Sequence, residues 1–373
     1  MLNKLFLNNF KCFRYNEVNF KPLTFLVGGN GVGKSSVIQS ILLAKQSIDN
    51  IKLDEEVPSS FEVKLNGPYL LNLGLAKNIL SSNATSQTIN LSLLNDLNEE
   101  TKINYSFDGK YGEHLLEGSF ETLNNKRNIP FSENFSYINA ERLGPRQALS
   151  MGPSFNLEVG FKGDHTSHSL FRADNINLQV HESLKIQQSL RFSRQVEAWM
   201  SLIFPDLQLD YKMIEEVNMV SMKYKNGALD TDFFAAPNNG FGISYTLPII
   251  VAGLILSSKN NGVLVVENPE AHLHPLGQSR MGRFLAALSL SGVQVIIETH
   301  SEHVINGSRV DMAKSNRTED LMVNFLAIEK DGVMVQELTI NKFGELLDWP
   351  IGFFDQEQQD LKELFLIKRE KKQ

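Results

Sequence analysis

Apolar residues open the chain in short runs broken by turns: LNKLFLNNF, NEVNF and LTFLV within residues 1–27 read as strands. Between residues 50 and 135, SFEVKLNG, TINLSLL and INYSFDG alternate apolar with polar positions, as half-buried antiparallel strands do. LLNLGLAKNILSS lies among them as a loop and a short helix. Residues 181–204 take helical spacing, with Leu184, Ile186, Leu190, Val196, Trp199 and Met200 on one side. DLQLDYKMI and VSMKYKNG then return to strands. Two later runs are strand-like: Val263 to Val266 is short, largely β-branched and apolar, the pattern of a parallel strand covered on both faces, and Val293 to Ile297 repeats the architecture. No repeat of 20–50 residues is visible and no heptad pattern lasts three heptads, so the pattern predicts a compact body without a long coiled-coil arm.

One stretch adds chemistry to this pattern. Leu23 to Val27 reads as a strand, and Val37, Ile38, Ile41 and Leu42 mark a helix. Between them Gly28, Gly29, Asn30, Gly31, Val32, Gly33, Lys34 and Ser35 fit G-x-x-x-x-G-K-[ST] at every fixed position, with Ser36 following. Glycines let backbone N–H groups turn inward, and the helix N-terminus adds a positive dipole end. Lys34 reaches the β- and γ-phosphates of a nucleoside triphosphate, and the Ser35 hydroxyl ligates Mg2+. The implied ligands are ATP and Mg2+.

Three further stretches complete a candidate site. The run ending at Val266 carries Glu267 at its exit, then Asn268, Pro269 and Glu270; an acid at the end of a buried strand suits a magnesium-holding or water-orienting role. The run ending at Ile297 leads into Glu298-Thr299-His300-Ser301, where His300 can donate to a γ-phosphate. Without the phosphate loop these would be ordinary strand-end acids and a capping turn. Reading His272, His274, His300 and His303 as a metal cluster is weaker, because no carboxylate or Cys spacing completes a zinc pattern. In APNNGFGISYTLPIIVAGLIL, Gly240 and Gly242 flank Phe241, and Ser244 can cap the apolar helix that follows. That loop is either a plain glycine turn or an anion site facing a second subunit.

Composition narrows the classes. The chain has 373 residues, 42% hydrophobic, enough for one large domain or two. The single cysteine, Cys12, excludes an internal disulfide and a Cys-rich zinc site, and fits a reducing cytoplasm. MLNKLFLNNF lacks a signal-peptide layout, and the apolar run Leu247 to Leu256 is too short to cross a bilayer. A net charge of −7 argues against a DNA binder by whole-surface charge, though not against a local basic groove.

Together, and in this order, the motifs resemble the ABC-type ATPase heads of the SMC, RecF and OLD-like group. LFLNNFKCFRYNEVNFKPLTFLVGGNGVGKSSVIQSILL resembles the start of such a head, NNGFGIS its signature loop, VVENPEAHLHP its Walker B and D-loop, and IIETHSEHV its switch histidine. More narrowly, YINAERLGPR and DWPIGFFD resemble bacterial stand-alone AAA-type ATPases that end in a WP-x-GFFD segment and are related to ATPase subunits of anti-phage systems such as Septu and PARIS. The resemblance implies an α/β head with a mixed central sheet, an antiparallel β subdomain and a helical subdomain. Its expected parts are a head over 1–340 and a small C-terminal segment over 341–373. Within the head fall strands and Walker A (1–50), an inserted β-rich region (50–180), a helical and strand region (181–235), and the signature, Walker B and switch (236–310). It also implies that Lys34 and Ser35 take phosphate and magnesium, Glu267 the metal, and Gly242 with Ser244 the nucleotide of an opposite subunit, in an ATP-dependent head-to-head dimer or higher oligomer. The position that usually holds the catalytic glutamate is Asn268, an amide that cannot accept a proton from water. Either Glu270 or Glu267 serves instead, or hydrolysis is slow. The chain after His300 is expected to be too short for a Toprim domain. The implied role is control of a separate effector, an HNH or Toprim nuclease or a toxin. Its rivals are a RecF-like ATPase that binds DNA directly and an inert scaffold in which ATP is structural.

Overall fold

The structure, a computed structural model, describes residues 1–373 except 53–54, 83, 85, 108–112, 132, 154–156, 228–231, 239, 331 and 371–373. The end of the expected strand INYSFDG and the second residue of NNGFGIS lie outside the described residues.

The central sheet is six-stranded, in the order β16-β15-β3-β14-β13-β8. Its members are β3 (Leu23–Gly28), β8 (Phe135–Ile138), β13 (Val263–Glu267), β14 (Gln294–Glu298), β15 (Leu321–Glu329) and β16 (Gly332–Leu338). All neighbours are parallel except the edge strand β16. Side chains alternate between two cores. Leu23, Phe25, Val27, Val266 and Ile297 face one, while Leu26, Val265, Ile296 and Leu326 face the other. Both faces are covered, which is why Val263 to Val266 in β13 and Val295 to Ile297 in β14 are apolar on both sides of the sheet.

An antiparallel sheet covers the second core in the order β2-β1-β5-β6-β7-β4. It comprises β1 (Leu2–Phe10), β2 (Phe13–Asn19), β4 (Phe61–Lys64), β5 (Thr88–Asn95), β6 (Glu100–Ser106) and β7 (Leu115–Leu123). Only alternate residues of β6 (Thr101, Ile103 and Tyr105) are buried, matching its polar–apolar pattern. Helix α1 (Lys34–Ile48) lies between the two sheets and sends Val37, Ile38, Ile41 and Leu42 into the same core. Each such buried side chain contributes about 1.5–3 kcal/mol. Short α2 (Ala76–Ile79) brings its Ile79 carbonyl to the Lys11 N–H at 2.7 Å, tying the insertion to the β1–β2 turn.

Helices cover the opposite face: α3 (Thr166–Asn175), α4 (Phe192–Ile203), α5 (Phe241–Ser257), α6 (Pro275–Leu290) and α7 (Glu302–Lys314). A third sheet joins β9 (Ala148–Ser150), β10 (Leu207–Ile214), β11 (Met219–Asn226) and β12 (Phe234–Ala235). Helices α6 and α7 cross with their backbones in contact. A Cβ at Gly282 would stand 2.0 Å from the Val304 carbonyl oxygen, and one at Gly307 2.0 Å from that of Ser279. At the C-terminal end Phe353 is buried edge-on against Phe325, and α8 (Gln356–Glu370) follows.

Two expectations need correction. The segment 181–204 is not one helix: residues 181–191 are a short 3-10 turn and a loop, and Ile186 and Leu190 are exposed. The buried Gln195 side chain bonds the backbone of Ile186, Gln187 and Ser189, which holds the segment off a helical path. The span 50–180 is not one β-rich insertion either. Its β8 enters the central sheet, β9 joins the third sheet, and α3 is a helix. Among the described residues the longest helix has 17 residues and there is no coiled-coil arm. No described helix is long and apolar enough to cross a membrane.

Candidate functional site

The phosphate loop is the turn from β3 into α1. Gly33 at its end has φ +108°, and a Cβ there would press on Cys12 Sγ at 2.8 Å and the Phe13 ring at 3.0 Å, so only glycine fits. No side chain caps α1, which leaves its first backbone N–H groups facing the loop. Val32 is buried and anchors the loop, while Gly29, Asn30, Gly31 and Ser35 are exposed. The Lys34 ammonium donates to the carbonyls of Gly28 (2.9 Å) and Gly29 (2.6 Å), which holds it beneath the loop. Burial lowers its pKa, and Glu298 opposes that shift. Above lies an open cleft of about 430 Å³, bounded by Lys34, Ser35 and Ser36 on one side and by Lys11, Cys12 and Asn78 on the other. That volume falls within the roughly 300–1,000 Å³ of small-molecule sites.

Parallel register brings the acids to the loop. Glu267 at the end of β13 pairs with Glu298 at the end of β14, and Glu298 pairs with Leu26 of β3. Glu298 Oε1 accepts a hydrogen bond from the Ser35 hydroxyl at 3.0 Å. Its pKa is pushed up to about 7, first by burial and then by the charge of Glu267. Glu267 is also raised by burial, with Tyr137 and Arg142 acting against the rise, and its Oε1 accepts from the Tyr137 hydroxyl at 2.7 Å. Beyond Pro269 the chain turns back, and Glu270 lies over the end of β14. It accepts from the Thr299 hydroxyl and from the His300 N–H, both at 2.7 Å. Burial and then the Lys34 charge lower the His300 pKa, with Glu270 acting against them.

Arg142 fixes the turn after β13. It is 3% exposed, and it donates to the carbonyls of Glu267 (2.7 Å) and Asn268 (2.6 Å). Asn268 sits at φ +45°, with its N–H on the Glu298 carbonyl at 2.8 Å. The Arg142 guanidinium also stacks over Tyr245 in α5 at 5.1 Å.

The structure therefore brings Lys34, Ser35, Glu267, Glu270 and His300 to one end of the central sheet. Gly242 and Ser244 do not border the cleft. Gly242 is pressed against the His272 carbonyl and the Phe204 ring. The expected cap is corrected: Ser244 lies inside α5 and Gly240 is the cap residue. Gly240 and Phe241 stay exposed at the tip of the helix. Among the described residues no His, Cys, Asp and Glu group forms a metal cluster.

Sequence reasoning passed over Glu298 as a site residue. The signal was available, since two buried apolar strands each end in glutamate, VVE and IIE. Ser35, Glu267 and Glu298 offer oxygen donors of the kind a hard cation takes, and Glu298 Oε2 is buried without a hydrogen-bond partner, so these residues fit magnesium.

Residues 23–306 match the AAA_21 family, described as "AAA domain, putative AbiEii toxin, Type IV TA system". The chain belongs to this family. Residues 318–364 match a second family, DUF3696, a protein of unknown function. An OLD nuclease of Thermus scotoductus is 22% identical over 382 residues, covering 88% of this chain and 65% of that protein. The chain thus spans just under two thirds of that relative's length. Among solved structures, an Smc head bound to the C-terminal winged-helix domain of ScpA aligns with TM-score 0.54 and 13% identity over 91% of this chain and 98% of that one. An Smc head with an extended coiled coil, bound to the C-terminal domain of ScpA derived from Pyrococcus furiosus, aligns with TM-score 0.55 and 11% identity over 97% and 99%. The AAA_21 chain has the fold of the ABC, SMC and OLD-like ATPase heads, and the candidate site lies at the carboxyl ends of its parallel strands.

Proposed function

We propose that this AAA-type ATPase binds ATP with Mg2+ at the phosphate loop and hydrolyses it. Two copies then associate head to head through their exposed signature tips, and the cycle controls a separate effector in bacterial anti-phage defence. The observation that carries the reading is the convergence of Lys34, Ser35, the strand-end acids and His300 at one end of the central sheet, while Gly240 and Phe241 stand exposed at the tip of α5. A half-site of this kind is complete only when a second copy supplies its signature loop. Lys34 would hold phosphate, Ser35 and Glu267 would hold the metal, and Glu270 beside His300 would accept the proton of the attacking water, since Asn268 cannot. Bound magnesium would supply positive charge to the phosphates. The nuclease named in the OLD relative, or a toxin of the kind its family description names, is the class of effector proposed, acting as a separate chain. The test is purification with the protein encoded beside it, with and without ATP. A nuclease or toxin that co-purifies and changes activity with nucleotide supports the reading. DNA-stimulated hydrolysis with no protein partner favours direct DNA binding instead.

A further inference from the structure

The strand carrying Glu298 lies between the phosphate-loop strand and the strand carrying Glu267. The acid nearest the Ser35 hydroxyl is therefore Glu298, and the 3.0 Å bond between them is direct. Of the three acids at this end of the sheet, two are engaged elsewhere. Glu267 accepts from Tyr137, and Glu270 uses both oxygens on Thr299 and His300. Glu298 is 5% exposed, and its Oε2 is the oxygen without a partner. A buried carboxylate oxygen left unpaired is costly, and a cation beside Ser35 would offset that cost.

We propose that Glu298, and not Glu267 alone, is the carboxylate this chain turns toward the divalent cation that accompanies nucleotide. In the metal-free chain it keeps the Ser35 hydroxyl oriented. The proposal rests on the nucleotide-site reading above, and its test separates the two.

The probe is Mn2+ titrated into the full-length chain with ATP and followed by the electron paramagnetic resonance signal of free Mn2+. ATP affinity in EDTA is measured alongside by calorimetry. Glu298→Gln keeps the size and an acceptor for Ser35 but removes the charge. The expected result is Mn2+ affinity lowered about 10–100-fold, the usual cost of losing a metal-supporting group, in a variant that still binds ATP in EDTA. Glu298→Asp, which keeps the charge, should recover part of that loss, whereas a purely structural role would leave it as damaging as the Gln change. Wild-type Mn2+ affinity in folded Glu298→Gln, with loss confined to Glu267→Gln, overturns the proposal and leaves the nucleotide site standing. Failure of the wild-type chain to bind ATP at all overturns both.

Discussion

The packing of α6 on α7 makes a sharp prediction, because these helices carry the turn after Glu267 and the turn holding His300. Replacing Gly282 with Ala places a methyl 2.0 Å from the Val304 carbonyl oxygen, where ordinary contacts need well over 3 Å. The helices must separate by more than about 1 Å, an overpacking cost of about 1–3 kcal/mol. The Ser308 hydroxyl also donates to the Gly282 carbonyl at 2.7 Å, and stretching that bond costs about 0.5–1.5 kcal/mol. Alanine's better helix propensity returns about 1 kcal/mol. The net expectation is a loss of about 0.5–3.5 kcal/mol, read as a lower urea midpoint or melting temperature. Because Gln278 on α6 accepts from Ser301 at the start of α7 at 2.6 Å, the same separation should draw Thr299 and His300 off Glu270. ATP turnover should therefore fall more than ATP affinity. Gly307→Ala acts on the same gap, so the double variant should lose less than the sum of the two. An unchanged or higher midpoint for Gly282→Ala would refute the reasoning.

Glu270→Gln should bind ATP normally and lose about 10²-fold or more in single-turnover hydrolysis; a rate that survives would shift the base to Glu267. Gly240→Arg, at an exposed cap with open space for a side chain, should keep ATP binding and block association, and an assembled variant would remove the signature tip from the interface. For pH, the folded chain raises Glu298 from 4.5 to about 7, so its native proton is bound more tightly than in the unfolded chain. The stability it contributes is full below about pH 4.5 and is lost as pH rises through about 7. Metal-free Glu298→Gln should thus exceed wild type by up to about 3 kcal/mol at pH 8 and show almost no advantage near pH 4.5; an advantage constant with pH would contradict the shift.

The fold class and the phosphate loop were legible because their signals are local. A strand, a glycine turn and a helix follow one another in LTFLVGGNGVGKSSVIQS, and covered strands announce themselves as VLVV and VQVII. What escaped depends on partners distant in sequence. The reach of Glu298 to Ser35 depends on the strand order, which places β14 between β3 and β13. Arg142 gains its place only when the turn after β8 meets the exit of β13. Residues 181–191 carry apolar residues at helical spacing, yet one buried glutamine bonding their backbone outweighs that spacing. Serine favours the cap position, but Gly240 already takes the extended cap conformation and the helix starts at Phe241, which leaves Ser244 inside it.

The central claim is that nucleotide at the phosphate loop joins two heads. The direct measurement is the molecular mass in solution of Glu270→Gln, by light scattering, with and without ATP and Mg2+, beside a double variant that also carries Lys34→Ala. The account predicts a monomer-to-dimer (or higher) shift on adding ATP that the Lys34→Ala change abolishes while the chain stays folded. A mass indifferent to ATP in a chain that calorimetry shows to be saturated with it would contradict the account.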